Sequence, residues 1–216
     1  CSSDLEFPVF MKPEKKMTLD DVKAVLRSHY EGTSHDPYTN GLDGKEPWRP
    51  VSVFRTYEAH VMQVRPWLPK EIGETTYIGL GMADLTAFVP YYSGLKAYPA
   101  NYTMGTDKAD DQSIYWKYRK LQTLTMTDYL KLAPIVKKAY KAWEDKVAKE
   151  QKEVEAEYLK MAKTDKPAAD KMLNDFNLRI MADAEKLTED LTNQLFTIRT
   201  KDIQSDIFFA NAAKKD

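Results

Sequence analysis

Apolar and polar positions alternate on two different periods along this chain, and the change of period falls near residue 112. After Thr18, the residues Leu19, Val22, Val25 and Leu26 recur at three- and four-residue steps, which predicts an amphipathic helix. Thr18 is placed to cap its first turn, Asp21 stands at the reciprocal capping position, and Gly32 is the expected stop. Ahead of it, Leu5, Phe7, Val9 and Phe10, interrupted by Pro8, read as an extended lead-in. Four short apolar runs follow: Val51, Val53 and Phe54; Val61, Met62 and Val64; Tyr77, Ile78 and Leu80; Leu85, Phe88 and Val89. Pro66, Pro69, Gly73 and the Ala83–Asp84 pair punctuate them, a spacing that predicts an antiparallel meander.

The polar segment 101–112 is expected as a hinge or a loop over a site, and beyond it the period lengthens to that of a helix. Residues 113–132 and 134–163 predict helices with a break before Pro134. Thr164-Asp165-Lys166-Pro167 supplies a stop, a cap and a first-turn proline for a further helix to about Arg199. Its apolar stripe is Met172, Phe176, Ile180, Ala184, Leu187, Leu191 and Leu195. The expected class is α+β: an antiparallel sheet with one early helix over residues 1–112, then long antiparallel helices over 113–216 that pack on the first part as a cover.

Composition sharpens that division, because all eight glycines lie between Gly32 and Gly105 and nine of eleven prolines precede Ala100. Residues 33–50 are dense in turn formers and long for a connection inside a domain, and ordered loops of such length are more often functional than short ones. Lys plus Arg is 32 against 33 for Asp plus Glu, a balance that argues against nucleic acid as a partner. No run of about 18 apolar residues occurs, so no membrane-spanning helix is expected, and a soluble chain in the cytoplasm or exported from it are both open. The single cysteine, Cys1, excludes an internal disulfide framework and a multi-cysteine zinc site.

Few residues carry candidate chemistry. Cys1 as a true amino terminus would hold a thiol and a free amine in one residue, the arrangement in which the amine serves as base for the nucleophile. Its neighbours Ser2, Ser3, Asp4 and Pro8 are not the buried apolar strand that such a nucleophile normally opens, and the alternative is an incidental cysteine. His29, His35 and His60 match no compact metal-ligand spacing, and no metal is assigned. Arg55 shares a predicted strand face with Val51, Val53 and Tyr57, where a guanidinium calls for an anion, structural or substrate. Arg65, in the next strand, is either its companion on a binding face or a surface charge. Tyr91, Tyr92 and Tyr98 read as a binding platform or as loop packing.

Three strings are more specific. Arg27-Ser-His-Tyr-Glu-Gly-Thr-Ser-His-Asp-Pro-Tyr38, Arg49-Pro-Val-Ser-Val-Phe-Arg-Thr-Tyr-Glu-Ala-His-Val-Met-Gln-Val-Arg65 and Tyr77-Ile-Gly-Leu-Gly-Met-Ala-Asp-Leu-Thr-Ala-Phe-Val-Pro-Tyr91 resemble the later part of the bacterial cysteine dipeptidases of the dipeptidase A type. Ser113-Ile-Tyr-Trp-Lys-Tyr-Arg-Lys-Leu is similar to the segment that follows them. The resemblance implies an N-terminal-nucleophile hydrolase with a layered helix, sheet, sheet, helix fold that hydrolyses dipeptides through a processed amino-terminal cysteine. Members of that family are about twice as long. Cys1-Ser-Ser-Asp-Leu-Glu-Phe-Pro looks like the middle of such a protein, so the chain resembles its carboxy-terminal half, inactive alone, with the nucleophile on the amino-terminal half as its partner.

By the same resemblance Arg55 falls where related amidohydrolases keep an active-site arginine, acting electrostatically on the thiolate or a substrate carboxylate. His35, Asp36, His60 and Arg65 are the accompanying candidates for substrate contact. The expected small-molecule partner is a dipeptide, no cofactor is implied, and a homo-oligomer is left open. Two alternatives stand beside this: a complete amidohydrolase using Cys1, and a non-catalytic binding or assembly module whose two long helices dock a partner through an exposed apolar stripe.

Overall fold

A computed structural model describes residues 10–39 and 49–212, with side chains of the last helix through Ile207. Cys1 and the glycine pair Gly41 and Gly44 lie outside the described residues. The first helix, α1 (Leu19–Arg27), begins as its sequence dictates: Thr18 Oγ1 accepts the Asp21 N–H at 3.1 Å and the Asp21 carboxylate accepts the Thr18 N–H at 2.8 Å. It ends before Gly32, because Ser28 turns extended and Tyr30 takes a left-handed φ of 63°.

Three strands follow, β1 (Glu58–Val64), β2 (Glu74–Leu80) and β3 (Val89–Tyr92), with the short α2 (Lys70–Gly73) between the first two. They form an antiparallel sheet in the order β1-β2-β3, with His60 opposite Ile78 and Thr76 opposite Tyr91, the meander that the apolar runs predict. Two of the expected strands differ. Residues 51–54 are not a strand but a succession of turns, closed by Val53 N–H to Val51 O at 3.1 Å and Thr56 N–H to Val53 O at 3.0 Å. The last run begins as a single helical turn, Ala83–Leu85, and becomes a strand only at Val89.

The helical part is α3 (Ile114–Met126), α4 (Tyr129–Met161) and α5 (Lys166–Ala212). The break falls at Thr127–Asp128 rather than at Pro134, which lies inside α4. One backbone hydrogen bond is lost there, while Leu132, Ala133 and Val136 on the same turns are fully buried, and their burial holds the helix through the proline. Asp165 starts α5 by accepting the Ala168 N–H at 3.0 Å. One apolar cluster joins the two parts, with Leu85, Val89 and Tyr92 against Leu121, Val136, Phe176 and Ile180.

The two margins of the sheet are finished differently. At β3, Asn177 of α5 acts as a substitute strand: its Oδ1 accepts the Tyr92 N–H at 3.1 Å and its Nδ2 donates to Pro90 O at 2.9 Å. No described residue pairs with the outer side of β1. One sheet face, with Ala59, Val61 and Tyr77, packs beneath Leu19 and Leu26 of α1. On the other face Met62 is 70% and Val64 66% exposed, beside a shallow groove of about 350 Å³ lined by Thr76, Ile78, Tyr91 and Tyr98.

Candidate active site

The turn that replaces the first expected strand is held from both sides by distant residues. Ser52, fully buried, makes three hydrogen bonds: its N–H donates to Ser28 O at 2.9 Å, its Oγ accepts the Asp84 N–H at 2.9 Å, and its carbonyl accepts the Tyr38 hydroxyl at 2.6 Å. On the far side, Arg119 of α3 donates to Phe54 O and, at 2.6 Å, to Thr56 O. The Arg119 guanidinium lies 4.8 Å from the Phe54 ring centroid. Between these anchors, in the bend closed by the Thr56 N–H, Arg55 is exposed. An exposed planar guanidinium on an anchored turn is suited to directed, two-pronged contact with a carboxylate.

Beneath the turn is a buried polar network. His29 Nδ1 lies 3.0 Å from Asp36 Oδ1, and that oxygen also accepts the Tyr38 N–H at 2.9 Å. A carboxylate only accepts, so Nδ1 carries the proton of this bond. On the other side of the ring, Nε2 lies 3.0 Å from the Tyr129 hydroxyl, which donates to Asp84. Lys137 of α4 reaches the same Asp84 carboxylate at 2.7 Å. Burial, reinforced by the Asp84 and Asp36 charges, pushes the Tyr38 phenol up to about 12. Tyr129 is raised further by burial and by the Asp84 carboxylate. Both phenols are therefore neutral donors at neutral pH.

A second charged cluster borders the first. Glu144 of α4 accepts Arg27 at 2.6 Å and the Phe88 N–H at 2.7 Å, with buried Lys23 at 3.8 Å. Desolvation lowers the Lys23 pKa, and the Glu144 charge opposes that shift. Arg27, Asp84, Thr86, Lys137, Tyr140 and Lys141 line a cleft of about 200 Å³ between the clusters.

The sequence-expected residues are dispersed around this centre. Asp36 is in the buried network, with Oδ1 committed to His29 and Tyr38. His35 is exposed on the turn before it. His60 is exposed on β1, its Nδ1 3.0 Å from Glu58. Arg65 grips Glu155 of α4 with two nitrogens at 2.7 and 2.6 Å and donates to Ile72 O, which joins strand to helix. It does not share a strand face with Arg55, because Arg55 is not in a strand. Among the described residues no group of three His, Cys, Asp or Glu side chains could hold a metal ion. Period and spacing do not single out Ser52, Tyr129, Lys137 or Arg119 as site residues. A signal for the last existed: Tyr115, Arg119 and Gln122 are polar residues on one face of a helix at i, i+4 and i+7.

Comparison with known proteins gives this chain a family. The chain belongs to Peptidase family C69, which it matches over residues 1–142. A probable dipeptidase from Salmonella dublin is 51% identical over 102 residues, covering 47% of this chain and 22% of that protein. A probable dipeptidase B from Lactococcus lactis subsp. lactis (strain IL1403) is 33% identical over 113 residues, covering 51% of this chain and 24% of the relative. A dipeptidase from Bifidobacterium longum (strain NCC 2705) is 30% identical over 121 residues, 55% of this chain and 23% of the relative. The aligned stretches thus span between 22% and 24% of these curated relatives.

Proposed function

We propose that this chain is the carboxy-terminal portion of a cysteine-type dipeptidase with a helix, sheet, sheet, helix N-terminal-nucleophile fold. It supplies sheet strands, substrate contacts and a helical cover, and is inactive alone. In this reading residues 1–112 belong to the hydrolase core and residues 113–216 cover it, while the amino-terminal half of the same protein carries the catalytic cysteine. The observation that carries the reading is the exposed Arg55 on a turn anchored from both ends, in a chain of Peptidase family C69. The sheet supports it too: an apolar face with Met62 and Val64 in the open, next to a β1 margin that no described residue pairs, suits a second layer from elsewhere in the protein.

Arg55 donates to an oxygen of the substrate carboxylate or holds the thiolate as charge moves in the reaction. Exposed His35 and His60 are assigned as further polar contacts for the substrate, and Asp36, bonded to His29 and to the Tyr38 N–H, holds the segment that carries His35. No helix among the described residues is long and apolar enough to cross a membrane. In the longest natural form of the protein, Arg55→Ala should lower kcat/KM for dipeptides about 10²-fold. Wild-type turnover by that variant would refute the role.

A second reading, an assembly module, rests on exposed Phe196, Ile203 and Ile207 on α5, which lie beyond the expected stripe, whose Phe176, Ile180, Ala184, Leu191 and Leu195 are buried. It predicts self-association or partner binding that Phe196→Ser weakens, with no peptidase activity in any form of the protein.

A further inference from the structure

We propose that Arg119 is a positioning residue for Arg55, fixing from α3 the turn that aims the Arg55 guanidinium at an anionic group of the substrate. The inference rests on the role given to Arg55 above. Arg119 is 7% exposed, and among the described residues it has no carboxylate partner. Its donors go instead to Phe54 O and Thr56 O, and to the Tyr115 hydroxyl at 3.1 and 3.2 Å. The two carbonyls flank Arg55. Arg119 sets the Phe54–Arg55 and Thr56–Tyr57 peptide units through these carbonyls, the Thr56 N–H to Val53 O bond holds the unit between them, and the Arg55 side chain is left outside.

Charge acts in the same direction. The buried cation lies behind the turn, so Arg55 gains nothing by folding back, and the two guanidinium groups together favour an anion on the outer side. The Phe54 ring over Arg119 at 4.8 Å and the Tyr115 ring at 5.4 Å fill the remaining space around the fork. A lysine would keep the charge but could not span both carbonyls and stack on the rings. Arg119→Lys therefore separates geometry from charge.

The test is a double-mutant cycle in the longest natural form of the protein, read by kcat and KM for a dipeptide, with amide exchange of the segment 51–57 measured alongside. Arg119→Lys should lower kcat/KM about tenfold in the wild type and less than about twofold in the Arg55→Ala background, because it acts through Arg55. Exchange at the Thr56 N–H should quicken about tenfold. Equal losses in both backgrounds, or Thr56 exchange unchanged by Arg119→Lys, overturn the proposal. An Arg55→Ala enzyme with full activity would instead sink the functional reading, leaving the exchange result to decide whether Arg119 holds the turn. Should Arg119→Lys not fold, Tyr115→Phe removes one acceptor only; Thr56 exchange faster by about threefold supports the proposal, and unchanged exchange contradicts it.

Discussion

Arg65, the residue that follows β1, and Glu155 of α4 form a two-pronged ion pair across ninety residues of sequence, with N–O distances of 2.7 and 2.6 Å. The pair is mostly shielded from water, and Glu155 also accepts the Tyr92 hydroxyl at 2.7 Å. One carboxylate thus ties strand ends of β1 and β3 to the same helix. Glu155→Gln should cost about 2–3 kcal/mol, below the value for a fully buried pair because some solvent reaches it. Urea unfolding at low and high salt checks this. A loss that persists in salt is expected of a shielded pair, and a loss that vanishes would make it an ordinary surface contact.

Asn177 replaces a missing strand neighbour for β3, so its loss leaves two buried backbone groups without partners. Asn177→Leu should destabilise the chain by about 2–4 kcal/mol, while Asn177→Asp keeps the acceptor and fails chiefly as donor. Amide exchange at Tyr92 is the direct measure. It should quicken strongly in the leucine variant.

Gly81 adopts φ +76°, and a Cβ there would meet Gln122 Oε1 at 2.2 Å. That amide is itself in use, accepting the Met82 N–H at 3.1 Å and donating to Leu80 O at 2.8 Å. Gly81→Ala should therefore cost about 3 kcal/mol, from the left-handed backbone together with displaced hydrogen bonds. Thermal unfolding of the variant tests the figure. A change below about 1 kcal/mol would mean that Gln122 moves aside freely.

Alkaline pH should unfold the protein through its tyrosines. Burial raises the phenols of Tyr91, Tyr92, Tyr102, Tyr118 and Tyr129, and pushes Tyr38 up to about 12. Unfolded phenols ionise near about 10, so above that pH the native state binds more protons than the unfolded state. The stability is fully present below about pH 10 and falls as pH rises towards the folded values. Phenolate absorbance should lag behind that of the denatured chain and then rise together with loss of helix. Gradual titration of all tyrosines without unfolding would contradict the burial.

Much of the scaffold is legible in the sequence where one local cause dominates. The Thr18–Asp21 capping box, the Asp165 cap and the stripe from Met172 to Leu195 need only short-range spacing. Residues 51–54 mislead for the opposite reason. Their β-branched, apolar pattern favours a strand, yet their backbone groups go to Ser28, Tyr38 and Arg119, all distant in sequence. Pro134 misleads similarly, since the packing that carries α4 past it comes from other elements. Of the candidate residues, Asp36 is found in the buried network and Arg65 in a strand-to-helix pair. Period and composition carry no record of which distant carboxylate an arginine will meet.

The central claim, that this chain is one part of a dipeptidase and depends on the rest, is tested most directly by one assay on two preparations. Dipeptide hydrolysis is measured for the 216-residue chain alone and for the longest natural form of the protein. The account predicts turnover by the longer form and none by the chain alone. Hydrolysis by the isolated chain, abolished by Cys1→Ala, would contradict it and make Cys1 the nucleophile of a complete enzyme.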